Sequence, residues 1–233
     1  MRWLSLLPLL GLVLGGVSAL AAPLPFSPKS FTPYQTCTVT ATPSSTSNVI
    51  DSYVRQDQPN TNFGTAATLS VQSSGTANRR AYIQFRLSAC PRAIPTSATV
   101  RLATLRLYMT ALPSLCRTED VFAVTAAWTE TGITWNTQPV GTAINNPPAA
   151  SRTTSFNVGT AVGCQYGAAN TYVAATVTSD VQAFVSGGQA NNGWMIRDDS
   201  EGSATAYTTT YTAKNAGTLA QAPQLVITYV DVP

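Results

Sequence analysis

The chain has 233 residues and not one histidine. That absence excludes Ser-His-Asp, Cys-His and zinc-hydrolase chemistry, all of which use an imidazole as base or ligand. A two-carboxylate glycosidase remains formally open, with Asp51, the neighbours Glu119 and Asp120, Glu130, Asp198, Asp199 and Glu201 as carboxylates. Such a pair must face each other across a groove at roughly 5–9 Å. No spacing in the sequence sets two of these residues opposite one another, so the chain reads as a non-enzyme with no required cofactor. A hard cation is the other use for carboxylates. Asp198-Asp199-Ser200-Glu201, joined by Asp51 or Asp231, offers oxygen ligands for calcium, without the spacing of an EF-hand loop. Asp51, Asp198 and Asp199 are the calcium candidates.

Sugar recognition needs aromatic faces for the apolar side of a pyranose and hydrogen-bonding or charged groups for its rim. The aromatic candidates are Trp128, Trp135, Trp194, Tyr53, Tyr82 and Tyr108. For acidic sugars, Arg79, Arg80, Arg86, Arg101 and Arg106 present bidentate forks. Arg79, Arg80, Tyr82, Arg86, Arg106 and Tyr108 are the ligand set, with Arg79-Arg80, at a loop-to-strand junction, foremost. Each has a plainer structural reading. Large aromatics are usually mostly buried, and Trp128 and Trp135 would then hold a long connection over the end of the fold. Outward Arg86 and Arg106 would be solvated strand residues. Asn60-Thr61-Asn62-Phe63-Gly64 is a turn whose phenylalanine tucks inward.

Strands must position these groups. Ile83, Phe85 and Leu87 alternate with Gln84 and Arg86, and Leu105, Leu107 and Met109 alternate with Thr104, Arg106 and Tyr108. Val100 and Leu102 have the opposite parity, which predicts a bulge or strand start near Ala103. Further strands are expected at 38–41, 49–54, 66–72, 121–125, 171–178, 194–197, 204–211 and 224–230. The single departure from period two is Val181, Phe184 and Val185, a one- to two-turn helix capped by Ser179 or Asp180 and stopped by Gly187-Gly188. Nine or ten strands and one short helix predict an all-β, jelly-roll-like two-sheet β-sandwich.

Residues 1–21 have the form of a secretory signal peptide, with Arg2, a short apolar core and Ala19-Leu20-Ala21. Residues 22–47 form a Pro/Ser/Thr-rich lead-in, and residues 48–233 one domain. Export makes Cys37, Cys90, Cys116 and Cys164 two disulfides, worth roughly 2–4 kcal/mol each. Three pairings exist; Cys37–Cys90 with Cys116–Cys164 is favoured, because Cys116 and Cys164 each open a segment leading into a strand. With only 10% charged residues, a net charge of +3 and no basic run, nucleic acid is not an expected partner. No membrane association is expected once the leader is removed.

Taken together, several segments resemble the DNRLRE domain family, also described as carbohydrate-binding module family 96 and related to disaggregatase repeats. They are Asp51-Ser52-Tyr53-Val54, Asn60-Thr61-Asn62-Phe63-Gly64, Arg80-Ala81-Tyr82-Ile83-Gln84-Phe85, Trp128-Thr129-Glu130, Ile133-Thr134-Trp135-Asn136, Asn191-Asn192-Gly193-Trp194 and Pro223-Gln224-Leu225-Val226-Ile227. The Ser-Arg-Glu-like element usual before the last strand stands here as Thr209 to Lys214. The resemblance implies a jelly-roll-like sandwich on a secreted or cell-surface protein that binds polysaccharide, acidic in some members. A structural or adhesive matrix protein without sugar specificity is the alternative, and a secreted polysaccharide-active enzyme the third reading.

Overall fold

The computed structural model describes residues 33–148 and 151–231; the leader and residues 22–32 of the lead-in lie outside them. Eleven strands and one helix follow in the order β1 (Gln35–Thr40), β2 (Val49–Arg55), β3 (Thr68–Ser73), β4 (Arg79–Phe85), β5 (Thr99–Ala111), β6 (Arg117–Ala123), β7 (Thr154–Val158), β8 (Thr171–Thr176), α1 (Thr178–Ser186), β9 (Trp194–Asp198), β10 (Tyr207–Thr212) and β11 (Gln224–Val230). The named strands pair antiparallel throughout. Strands β1-β11-β5-β8 form one layer and β2-β4-β9-β6-β7 the other. Strands β3 and β10 carry the sheet from one layer to the other. They pair along their length, while β10 meets the end of β5 at two positions and β3 meets β4 only at Gln72–Arg79. The fold is therefore all-β and jelly-roll-like, with one ladder curled on itself rather than two separate sheets.

Period-two alternation decides what lies between the layers. Ala81, Ile83 and Phe85 of β4, Leu105, Leu107 and Met109 of β5, Trp194 and Ile196 of β9, and Leu225 and Ile227 of β11 share the main core. Each large apolar side chain so buried contributes about 1.5–3 kcal/mol relative to exposure. The alternate residues Tyr82 and Met195, with Val54 and Phe122, point the other way into a second, smaller apolar cluster. Helix α1 closes one side of the core through Val181, Phe184 and Val185 and ends at Gly187 in the left-handed conformation, φ +75°. Neither predicted cap caps it: Val177 occupies the N-cap, and Asp180 accepts hydrogen bonds from the Trp194 indole N–H and the Thr153 hydroxyl instead, each at 2.7 Å.

Both disulfides join the favoured partners, Cys37–Cys90 and Cys116–Cys164. The β5 bulge falls at Arg101, where Thr228 pairs Leu102 and Tyr229 pairs Val100, two residues before the expected position. Strand β7 was not expected. It is five residues long, and its pattern Thr-Ser-Phe-Asn-Val contributes only Phe156 and Val158 to the core, too few to stand out.

Gly193, which turns the chain into β9, has φ +71° and lies so close to β4 that a Cβ there would meet the Ile83 carbonyl oxygen at 2.0 Å. Gly193→Ala is expected to cost about 2–4 kcal/mol, from an unfavourable backbone conformation plus a forced displacement of β4. Denaturant unfolding should show a lower midpoint at unchanged m-value; an unmoved midpoint would mean the turn relaxes freely.

Candidate functional site

The two layers have outer faces of opposite character. On the β1-β11-β5-β8 layer the outward residues stand in cross-strand rows. Thr36 is opposite Thr228. Thr38, Val226, Thr104 and Thr176 form the next row, and Thr40, Gln224, Arg106 and Ala174 the one after. Tyr108 then faces Tyr172. Thr36, Thr38, Thr176 and Ala174 are exposed, and Arg106, Tyr108, Tyr172 and Gln224 half-buried. Arg106 donates to the Gln224 side-chain oxygen at 2.9 Å, and its guanidinium lies over the Tyr172 ring at 4.5 Å. Tyr108 meets Tyr172 edge-on at 5.2 Å. The Tyr172 hydroxyl is held by the Ala220 and Ala222 carbonyls and accepts from Gln224, which fixes the ring. A fixed aromatic ring with a guanidinium on its face, among hydroxyls, can offer a charged fork and neutral hydrogen-bonding groups side by side. The four strands of this layer contain no acidic residue, and their only charges are Arg101 and Arg106.

The outer face of the β2-β4-β9-β6-β7 layer is covered by the connection from Val124 to Pro148. Ile133, Trp135 and Val124 press on Tyr82, Phe122 and Met195. Under this cover Arg80 is fully buried. Its Nε and Nη2 donate to the two Glu201 carboxylate oxygens at 2.6 and 2.8 Å. Its remaining N–H groups go to the Gln138 side chain and to the Gly141 and Ala143 carbonyls, and its plane lies 4.7 Å from the Trp135 ring centre. Arg197 beside it reaches Asp120, Asn145 and Pro147.

The ligand set expected from sequence is therefore divided. Arg106 and Tyr108 meet on the open face, joined by Tyr172 and Gln224. Arg80 and Tyr82 are corrections: both are completely buried, and the Tyr82 hydroxyl is spent on Gln138. Arg79 is half-buried, donates to the Ser70 hydroxyl at 3.3 Å, and has an Nε with no partner; burial pulls its pKa down. Arg86 is exposed beyond the end of β4, on the second layer, away from Arg106. Trp135 and Trp194 are buried, Trp128 half-buried. Tyr172 and Gln224 were missed because cross-strand register, which joins them to Arg106, is not written in local alternation.

The calcium candidates are occupied by the protein's own donors. Asp51 accepts the Lys214 backbone N–H at 2.8 Å. Asp198 sits in the fork of Arg117. Asp199 is exposed and accepts from the Ser200 hydroxyl. Among the described residues no three His, Cys, Asp or Glu side chains gather into a group that could hold a metal. Glu130 is also engaged. It accepts the Lys214 ammonium at 2.9 Å and the Asp51 N–H at 3.2 Å, and its carbonyl takes the Asn62 amide at 2.7 Å. Burial, the largest cause, lifts Asp51 to about 7.

Glu119 points into the sandwich, accepts the Tyr211 hydroxyl at 2.6 Å, and leaves its Oε1 without a partner. Burial raises its pKa to about 7 against the hydrogen bonds from Thr209 and Tyr211.

Residues 42–229, most of the chain, match the model of the family described as Carbohydrate-binding module family 96. No curated protein matches the chain.

Two measurements follow from this geometry. Arg80→Ala strands the buried Glu201 carboxylate and is expected to lose about 3–5 kcal/mol, whereas Arg106→Ala, on an open face, should lose about 1 kcal/mol or less; equal losses in denaturant unfolding would contradict the assignment of faces. The second concerns pH. Glu119 binds its proton more tightly folded than unfolded, so its contribution is fully present below its ordinary value of 4.5 and is lost as pH rises to about 7. Glu119→Gln should remove about 3 kcal/mol of stability decline across that window. A variant whose pH profile parallels the wild type would refute the titration.

Proposed function

Because the chain belongs to carbohydrate-binding module family 96, we propose that it is an exported, non-catalytic polysaccharide-binding protein. Its binding surface is the open face of the β1-β11-β5-β8 layer, and its preferred ligand is an acidic polysaccharide. One observation carries this reading: the uncovered sheet face has Arg106 stacked on Tyr172, threonine hydroxyls in rows, and no carboxylate in its strands.

The physical argument runs through the uronate ring. Its carboxylate suits a guanidinium fork, which donates two N–H groups in one plane to its two oxygens. Its apolar face suits Tyr108 or Tyr172, and its hydroxyls suit Gln224, Thr104 and Thr176. Members of a row stand at strand spacing, about 4.8 Å, and successive rows about 6.7 Å apart along the strands, so an extended chain can meet such groups over several sugar units. Individual contacts are weak in water, and repetition supplies the avidity. Export is supported by the two disulfides, which persist in oxidising compartments, and by the leader-like start of the chain.

The assembly alternative rests on β1, an edge strand among the described residues, which carries neither a charged residue nor a proline. A preparation that stays monomeric by light scattering at high concentration would leave that reading without support.

Affinity electrophoresis in gels containing polygalacturonate, alginate or a neutral glucan tests the main reading. Retention by at least one acidic polymer is expected, falling about tenfold for Arg106→Ala and for Tyr172→Ala, corresponding to about 1.4 kcal/mol. It should also weaken with added salt. Equal migration of wild type and Arg106→Ala in every gel would remove this face from consideration.

A further inference from the structure

The covering connection contains a second feature that the open face does not use. Ala127, Trp128, Thr129, Gly132, Ile133 and Thr137 line a shallow depression of about 240 Å³. It is below the roughly 300–1,000 Å³ of sites that take drug-sized ligands, and so matches a single ring rather than an oligomer.

Three details make it a built site rather than a gap between turns. First, the indole in its wall is fixed. The Trp128 Nε1–H donates to the Asn192 carbonyl at 2.8 Å, and Tyr82 braces the ring from the buried side at 5.6 Å with planes at 62°. Second, Thr129 is exposed and its hydroxyl makes no hydrogen bond among the described residues, whereas the Thr137 hydroxyl is spent on the Gly132 carbonyl. Third, Gly132 keeps the floor open, since a Cβ there would lie 2.5 Å from the Thr129 hydroxyl. No lining residue is charged.

We infer that this depression binds one neutral pyranose ring, with Trp128 as its apolar wall and the Thr129 hydroxyl as its free hydrogen-bonding group. An aromatic wall recognises the apolar C–H face of a sugar, and a hydroxyl can both donate to and accept from a ring hydroxyl. The absence of charge separates this ligand from the one assigned to the Arg106 face. The site lies on the covered layer and does not require the open face to bind anything.

The exported protein, without residues 1–21 and so without Trp3, is examined by acrylamide quenching of tryptophan fluorescence with methyl glycosides of glucose, galactose and mannose, and with glucuronate as the acidic control. Trp135 and Trp194 are buried, so Trp128 dominates the quenchable signal. At least one neutral glycoside should protect at millimolar concentration, with glucuronate weaker. Thr129→Val, which keeps the side-chain shape, should weaken protection about tenfold, and Gly132→Val should abolish it. Arg106→Ala should leave it intact. Absence of protection by every neutral glycoside, or protection unchanged in both Thr129→Val and Gly132→Val, overturns the inference. Gel retention lost in Arg106→Ala but kept in both loop variants shows that the polymer-binding reading stands or falls separately.

Discussion

Arg80 is the group on which the arrangement of this molecule depends. A guanidinium has five N–H donors and no way to shed its charge, so full burial requires five acceptors and an anion. All five are present: two oxygens of Glu201, the Gln138 side chain, and the carbonyls of Gly141 and Ala143. The carbonyls belong to a long connection with no strand of its own. Irregular backbone laid over a sheet leaves polar groups that must be satisfied, and Arg80 satisfies two of them from beneath. Glu201 completes the circuit by accepting the Asn145 N–H at 2.7 Å. One side chain of β4 therefore holds the connection down and draws in the segment after β9.

Lys214 and Glu130 hold the beginning of the same connection. Lys214 donates its ammonium to Glu130 and its backbone N–H to Asp51, tying the end of β10 to β2 and to the loop. Gly64 packs so closely that a Cβ would meet the Glu130 carbonyl oxygen at 2.2 Å, and the Asn62 amide bridges the Glu130 and Ile133 carbonyls. With both ends held, the cover is tied down over the second apolar cluster. That attachment gives the sandwich its asymmetry. One outer face is consumed by structure; the other is left to solvent, with Arg106 and Tyr172 already oriented.

Local alternation made most of this fold legible. The inward sets of β4, β5 and β11 follow from Ile83-Phe85, Leu105-Leu107-Met109 and Leu225-Ile227, because one face of each strand is buried. The tryptophans were also legible as structural, since Trp135 and Trp194 are buried as large aromatics usually are. What alternation could not distinguish was Arg80 from Arg106. Both are outward residues on strands, and their difference lies in a cover more than forty residues away in sequence from Arg80. The same reasoning suggested Arg80 and Tyr82 as ligand residues when they are supports for the cover. Tyr172 and Gln224 were hidden for the opposite reason: they become partners of Arg106 only through the pairing of β5 with β8 and β11.

The ion pairs explain how so weakly charged a chain can still present uncompensated positive charge on one face. Arg55, Arg80, Arg92, Arg117, Arg152, Arg197 and Lys214 are matched by Asp57, Glu201, Asp231, Asp198, Asp120 and Glu130. Most of the charge is thus neutralised close to where it arises, and its field dies within a few ångströms. Arg101 and Arg106 have no carboxylate on their own strands to cancel them. Asp51 and Glu119, both raised to about 7 by burial, hold a proton over much of the acidic range and contribute little negative field there. Near and below neutral pH the surplus charge is therefore positive, and part of it stands on the face that no other described segment covers. A small net charge placed this way favours the acidic polysaccharide proposed for that face, without the basic runs that would also attract nucleic acid.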